Sequence, residues 1–247
     1  MIHLKDVTKI YKSNGVVALD KVSLDIERGE FVFIVGTSGS GKSTLMKLLM
    51  HEEIATSGSI VVDGKDVTKL PQKEVPYLRR TLGVIFQDYR LLEDKTVYEN
   101  VAFAMQVIEA PRKIMQRSVN TVLDIVGLRE KFKSFPAQLS GGEQQRVAIA
   151  RAIVNDPRIV IADEPTGNLD PETSWDIMDI FQRINAAGTT IVMATHDKTI
   201  VDQMQRRVIA IEGGKITRDE ARGVYSENPP PPSTTTTIYD TPYYPFK

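Results

Sequence analysis

An α/β fold is what this sequence predicts: a mainly parallel core sheet, an antiparallel β region before it and a helical insert within it. Three observations predict it. A continuously apolar stretch, Phe31-Val32-Phe33-Ile34-Val35, runs through a glycine-rich loop into the helix-forming Leu45-Met46-Lys47-Leu48-Leu49-Met50. From about Val97 to Val154 the apolar positions recur every three or four residues, the period of a helix. Buried-strand patterns then return at Ile159–Ala162 and Thr189–Ala194 with a helical stretch between them, the alternation that builds parallel sheets.

Each element follows from its residues. Val7, Ile10 and Tyr11 lead to the turn signal Ser13-Asn14-Gly15, after which Val16-Val17-Ala18-Leu19 resumes a strand. Val22, Leu24 and Ile26 keep a period of two, and Glu27-Arg28-Gly29-Glu30 is the next turn. Phe31–Val35 has no polar side, as expected of a strand covered on both faces. In the helical stretch Val97, Val101, Ala104, Met105 and Ile108 share one face. Pro111 fits the first turn of a second helix carrying Ile114, Val119, Val122, Leu123 and Val126, which Gly127 closes. A helix from about Pro171 to Asn185 ends near Gly188, and Val208–Ile211 with Lys215-Ile216-Thr217 forms a hairpin around Gly213-Gly214. The body is expected over 1–225, with the helical part at about 88–155. The tail at 226–247, with Pro229-Pro230-Pro231-Pro232, four threonines and several aromatics, is expected to be a flexible extension.

Composition excludes several function classes. The chain has 247 residues, with 31 Lys plus Arg against 32 Asp plus Glu, a net charge of −1. That balance argues against a nucleic-acid protein relying on a broad basic field, so no nucleic-acid partner is expected. There is no cysteine, which removes disulfides, thiolate metal sites and thiol nucleophiles. No apolar run approaches the roughly 18 residues that span a bilayer. Met1-Ile2-His3-Leu4-Lys5 lacks the apolar region of an export signal, and the expectation is a soluble, cytoplasmic protein.

The chemistry begins at Gly36-Thr37-Ser38-Gly39-Ser40-Gly41-Lys42-Ser43-Thr44, which matches the spacing G-x-x-x-x-G-K-[ST] between a buried strand and a helix. Glycines let the backbone wrap phosphates closely with its N–H groups turned inwards, and the following helix adds the positive end of its dipole. Lys42 supplies a point charge for the β and γ phosphates, and the Ser43 hydroxyl can complete a Mg²⁺ shell. Ile159-Val160-Ile161-Ala162 ends in Asp163-Glu164, which puts two carboxylates at the sheet edge where α/β proteins bind ligands. Asp163 can hold Mg²⁺ through water, and Glu164 can act as general base or orient the attacking water. His196 follows another strand end and can donate to the γ-phosphate, whereas His3 and His51 read as structural. Gln87, after Val84-Ile85-Phe86, can coordinate Mg²⁺ or position water through its amide.

In Leu139-Ser140-Gly141-Gly142-Glu143-Gln144-Gln145-Arg146, Ser140 is an N-cap and Glu143 completes a capping box. Gly141 and Gly142 in the first turn weaken a helix and have no evident packing role, so they point to a close approach of the helix start to an anion. Two anion-binding helix starts in one chain make sense if the second serves a nucleotide held by another subunit.

Taken in order, the loop at Gly36–Ser43, Gln87, Leu139–Gln145, Asp163-Glu164, Gly167-Asn168-Leu169-Asp170 and His196 resemble the motifs of the ATP-binding-cassette (ABC) ATPases, over about residues 1–222. The resemblance implies a P-loop NTPase fold of ABC type, ATP hydrolysis with ATP and Mg²⁺, and a head-to-tail homodimer. Two ATP molecules would lie between Lys42 of one subunit and Ser140 of the other. By the same resemblance Tyr11 stacks on adenine and Asp170 lies in a loop that communicates across the dimer. Tyr77-Leu78-Arg79-Arg80, Val84–Leu92, Thr96–Val101 and Ser134-Phe135-Pro136 resemble the cell-division members. Those imply an FtsX-like integral membrane partner touched near Gln87 and Asp88-Tyr89-Arg90, contact with other division proteins, a peripheral place on the cytoplasmic face of the membrane, and control of peptidoglycan hydrolysis. Lipoprotein-release and macrolide-export members share Glu164–Asp170, and a non-catalytic, nucleotide-dependent scaffold is a further alternative.

Overall fold

The computed structural model describes residues 1–13 and 15–225. The expected tail at 226–247 lies outside the described residues. Two sheets carry the fold. The strands β1 (Ile2–Tyr11), β2 (Val16–Ile26), β4 (Ser57–Val62) and β5 (Lys65–Asp66) form an antiparallel sheet in the order β2-β1-β4-β5. A six-stranded sheet has the order β10-β9-β3-β8-β7-β6, from β3 (Phe31–Val35), β6 (Leu82–Ile85), β7 (Ile159–Asp163), β8 (Thr190–Ala194), β9 (Arg207–Glu212) and β10 (Lys215–Glu220). Its strands are parallel except for the β9–β10 hairpin.

The unbroken apolar runs are explained by two cores. Val32 and Ile34 of β3 pack with Ile159 and Ile161 of β7 and with Leu45, Met46, Leu48 and Leu49 of helix α1 (Lys42–Leu49), beneath the antiparallel sheet. Phe31, Phe33 and Val35 point the other way, with Val160 and Ala162, into a core shared with the helical part. A strand whose alternate residues enter different cores has no solvent side, so it carries no polar period.

The helical part contains α3 (Val97–Gln106), α4 (Arg112–Ile125) and α5 (Gly141–Ile153), preceded by the short α2 (Val75–Arg79). Thr96 and Glu99 form a capping box at α3, and Ser140 and Glu143 form the expected one at α5. Pro111 stands at the N-cap position of α4, one residue before the first turn where the sequence pattern places it. Asn100 is fully buried: it accepts from the Leu92 amide at 2.8 Å and donates to the carbonyls of Leu92, Lys95 and Thr96. It thereby closes the connection that leads from the sheet into α3. Helices α6 (Pro171–Ala186) and α7 (Lys198–Met204) follow β7 and β8. Among the described residues no helix is long and apolar enough to cross a membrane.

Candidate functional site

Because β3, β6, β7 and β8 are parallel neighbours, their C-terminal ends share one edge of the sheet. The loop 36–41, Gln87, Glu164 and His196 all leave from that edge. Gly36 adopts φ 146° and a Cβ there would lie 2.2 Å from the Ile211 carbonyl oxygen; at Gly41, φ 117°, it would lie 2.5 Å from that of Ala18. The loop therefore runs too close to its surroundings for any side chain at these two points.

A cavity of about 600 Å³ opens above it. Tyr11, Val16 and Ala18, the loop residues Gly36–Gly39 and Gly41–Thr44, and Glu164, His196 and Tyr225 line it. The Tyr11 hydroxyl lies 3.3 Å from the Thr44 hydroxyl, and Lys9 stands over the Tyr11 ring at 5.0 Å. Lys42 is 7% exposed and donates to the carbonyls of Gly36 at 2.8 Å and Thr37 at 3.0 Å. An ammonium has three donors, so one remains for an anion above the loop. Ser40 is placed beneath the loop, not in the cavity: its amide donates to Thr37 and its hydroxyl is buried.

The Ser43 hydroxyl is close enough to Asp163 to favour its charged form, so two hard oxygen donors stand near one another at the loop. Burial pushes the Asp163 carboxyl above the usual range, with Glu164 acting in the same direction, while Ser43, Lys42 and Lys47 pull it down. Glu164 has φ 51°, a left-handed backbone that a non-glycine residue rarely adopts. Its amide donates to Ala194 and its carbonyl accepts from Gly167, which turns the side chain towards His196; Nδ1 of His196 is 3.1 Å from its Oε2.

The other candidates lie elsewhere. The Gln87 amide faces Asn168 at 3.4 Å and does not line the cavity. Ser140, Gly141, Gly142 and Asp170 are also outside this cavity. Ser140 is exposed, so this helix start is open to another molecule. Asp170 caps α6 through the amide and hydroxyl of Thr173. Gly142 corrects the sequence argument. It is buried, and a Cβ there would lie 2.3 Å from Thr173 Cγ2, so this glycine does have a packing role, the close approach of α5 to α6.

Two further contributors carry no motif signal. Arg151 of α5 donates to the carbonyls of both Tyr89 and Arg90, two consecutive residues with φ 55° and 49°, and so holds the turn just after Gln87. The Tyr89 hydroxyl in turn reaches the head of α5, 3.1 Å from where a Cβ on Gly141 would stand. Tyr225 is the second. Only its distance from the loop in sequence hid it.

A phosphate loop, a carboxylate pair and a histidine on one sheet edge define the site, and residues 19–167 match the family model described as ABC transporter. The chain belongs to the ABC transporter family. It is an ABC-type ATPase. It is 56% identical over 225 residues to "Cell division ATP-binding protein FtsE" of Streptococcus pneumoniae serotype 2, covering 91% of this chain and 97% of the relative. With the protein of the same name from Escherichia coli K12 the identity is 46% over 216 residues, 87% of this chain and 97% of the relative. Among solved structures, the ABC-type cassette resembles the ATP-binding cassette MJ0796, whose dimer was solved bound to ADP and Pi. The TM-score is 0.81 at 36% identity, over 90% of this chain and 99% of that one. The cbiO1 protein of Clostridium perfringens, part of a cbiONQ transporter complex, gives 0.83 at 30%, over 90% and 88%.

Proposed function

We propose that the cassette hydrolyses ATP at this site with Mg²⁺, as one half of a head-to-tail homodimer, and works in cell division as the FtsE-like, peripheral partner of an FtsX-like integral membrane protein. ATP cycling on the cytoplasmic face of the membrane then controls peptidoglycan hydrolysis outside. The observation that carries the reading is the continuous cavity from Tyr11, over Lys42 with its spare donor, to Glu164 and His196.

The roles follow from position. The Tyr11 ring offers a face to the base, and the loop amides with Lys42 hold the phosphates. Ser43 and Asp163 fit Mg²⁺, which favours hard oxygen ligands and retains positions for phosphate and water; when bound it neutralises charge on the β and γ phosphates. The Glu164 carboxylate accepts the proton of the attacking water as its oxygen bonds the γ-phosphorus and the bond to the β–γ bridging oxygen breaks. His196 fixes the Glu164 carboxylate and would donate to the same phosphate. The exposed Ser140 end of α5, with its dipole and free amides, caps the γ-phosphate of the partner subunit. Since that contact exists only in the closed dimer, nucleotide binding favours closure and hydrolysis reopens it. The similarity to proteins named FtsE over nearly their full length supports the division role.

The test is Glu164→Gln. It should keep ATP affinity, lower turnover at least a hundredfold and run as a dimer on gel filtration with ATP, while Lys42→Ala loses nucleotide binding. Unchanged turnover and a monomer with ATP would refute the site. Affinity purification of the Glu164→Gln form from membranes should retain an FtsX-like protein; recovery of a lipoprotein-release or export subunit instead overturns the division reading.

A further inference from the structure

Tyr225 belongs to none of the motifs above, yet it lines the same cavity as Glu164 and His196 and feels the charge of Glu164. After β10 the chain turns back across the sheet. Gly223 donates to the Arg206 carbonyl and passes so close to β9 that a Cβ on it would lie 2.8 Å from Val208 Cβ. Arg218 then forks onto two carbonyls, Val224 at 2.6 Å and Tyr225 at 2.9 Å. Asp202 accepts the Tyr225 amide, and Lys198 stands over the ring at 5.5 Å. The backbone and ring of one residue are thus fixed from two elements, β10 and α7, and the residue so fixed reaches the loop.

Its hydroxyl lies near the backbone of Gly36, which favours the phenolate. Burial, with the nearby charge of Glu164, pushes the phenol above its ordinary range, and the group stays protonated near neutral pH. A phenol has one proton to donate. Among the described residues no hydrogen bond takes it up. The donor therefore faces a cavity whose remaining wall is built for phosphate.

We propose that Tyr225 is a further nucleotide-binding residue, whose hydroxyl donates to the terminal phosphate of a bound nucleoside triphosphate and makes the site prefer triphosphate to diphosphate. The inference rests on the nucleotide reading of the cavity and adds to it a residue from the far end of the fold. A diphosphate lacks the γ-phosphate that the nucleotide reading sets beside Glu164 and His196, so it cannot use this donor.

Calorimetric titration of the full chain with a non-hydrolysable ATP analogue and with ADP tests it. Tyr225→Phe removes only the hydroxyl and should weaken the triphosphate about tenfold while leaving ADP unchanged, the effect of one hydrogen bond to a charged acceptor. Asp202→Ala, which frees the Tyr225 backbone without touching the cavity, should shift the triphosphate in the same direction and spare ADP. Equal loss for both nucleotides, no loss for either, or tighter triphosphate binding by Tyr225→Phe each overturns the proposal. A wild-type chain that binds neither nucleotide overturns the nucleotide reading itself, and this inference falls with it.

Discussion

Replacing Gly142 by alanine sets two opposing effects against each other. Alanine is the better residue inside a helix by up to about 1 kcal/mol. The new methyl, however, would stand 2.3 Å from Thr173 Cγ2, more than 1 Å inside the usual carbon–carbon separation of about 3.5–4.0 Å. Overpacking of this kind costs about 1–3 kcal/mol, because α5 and α6 must move apart or Thr173 must leave its rotamer. Thr173 resists leaving, since its hydroxyl is bound to Asp170 at 2.6 Å in the cap of α6. The net expectation is a loss of about 1–2 kcal/mol, a fall in melting temperature of roughly 3–6 °C for a chain of this size. Thr173→Ser deletes the offending methyl and keeps the capping hydroxyl, so the double variant should recover most of that loss in thermal denaturation. If close approach of an anion is also required there, the rescued protein still turns over at least tenfold slower. A Gly142→Ala protein as stable as the wild type, or a double variant no better than the single one, would refute the packing argument.

Asn100→Ala strands the Leu92 amide and the Lys95 carbonyl, the Leu92 and Thr96 carbonyls keeping backbone partners; it should cost about 2–4 kcal/mol and speed hydrogen exchange of the amides at 92–96. Glu143 is held below the usual carboxylate range, first by Lys131 and then by the Ser140 amide, so the stability it contributes is present above its unfolded value near pH 4.3 and lost as pH falls. Lys131→Met removes the larger cause, and its melting temperature should fall less steeply than that of the wild type below about pH 5. The chain has no cysteine, so Ser38→Cys and Ser140→Cys in separate Glu164→Gln proteins give an unambiguous cross-linking test. With ATP the mixture should yield a cross-linked heterodimer; a bond within one chain carrying both cysteines would sink the head-to-tail arrangement.

What was legible in the sequence was what lies close together along it. The phosphate loop is contiguous, flanked by an apolar strand and a helix former, so its fold follows from local rules, and the structure returns the strand, loop and helix in that order. The strand end at Ala194 was readable, and those at Ile85 and Asp163 to within one residue of the Phe86 and Ala162 that the pattern suggests, because strands covered on both faces have no polar period to blur their limits. Side-chain direction was not readable. Nothing in the text Ile85-Phe86-Gln87 says that the amide faces Asn168, and nothing in a G-x-x-x-x-G-K-[ST] spacing says that Ser40 turns under the loop. The packing of Gly142 on Thr173, the grip of Arg151 on the turn at 89–90 and the arrival of Tyr225 join residues 31, 61 and 189 positions apart in the case of Thr173, Arg90 and Gly36. Such contacts are products of the assembled sheet order and have no signature in spacing.

The same separation bears on why a single chain leaves the site half built. Lys42 uses two of its three donors on its own loop, which stiffens the ammonium under the phosphate position and leaves one hydrogen bond for the ligand. Glu164 sits in a left-handed backbone fixed by Ala194 and Gly167, already aimed, with His196 beside it. These groups are pre-organised on the wall of the cavity, while Ser140, the exposed N-cap of α5, does not line it. On the proposed reading, enclosure of the γ-phosphate calls for an element from outside this cavity. In the proposed dimer a second copy supplies it without new structure: Gly142 packed on Thr173 and Arg151 bound to the turn at 89–90 fix α5, and with it the exposed Ser140 on which a neighbour would close.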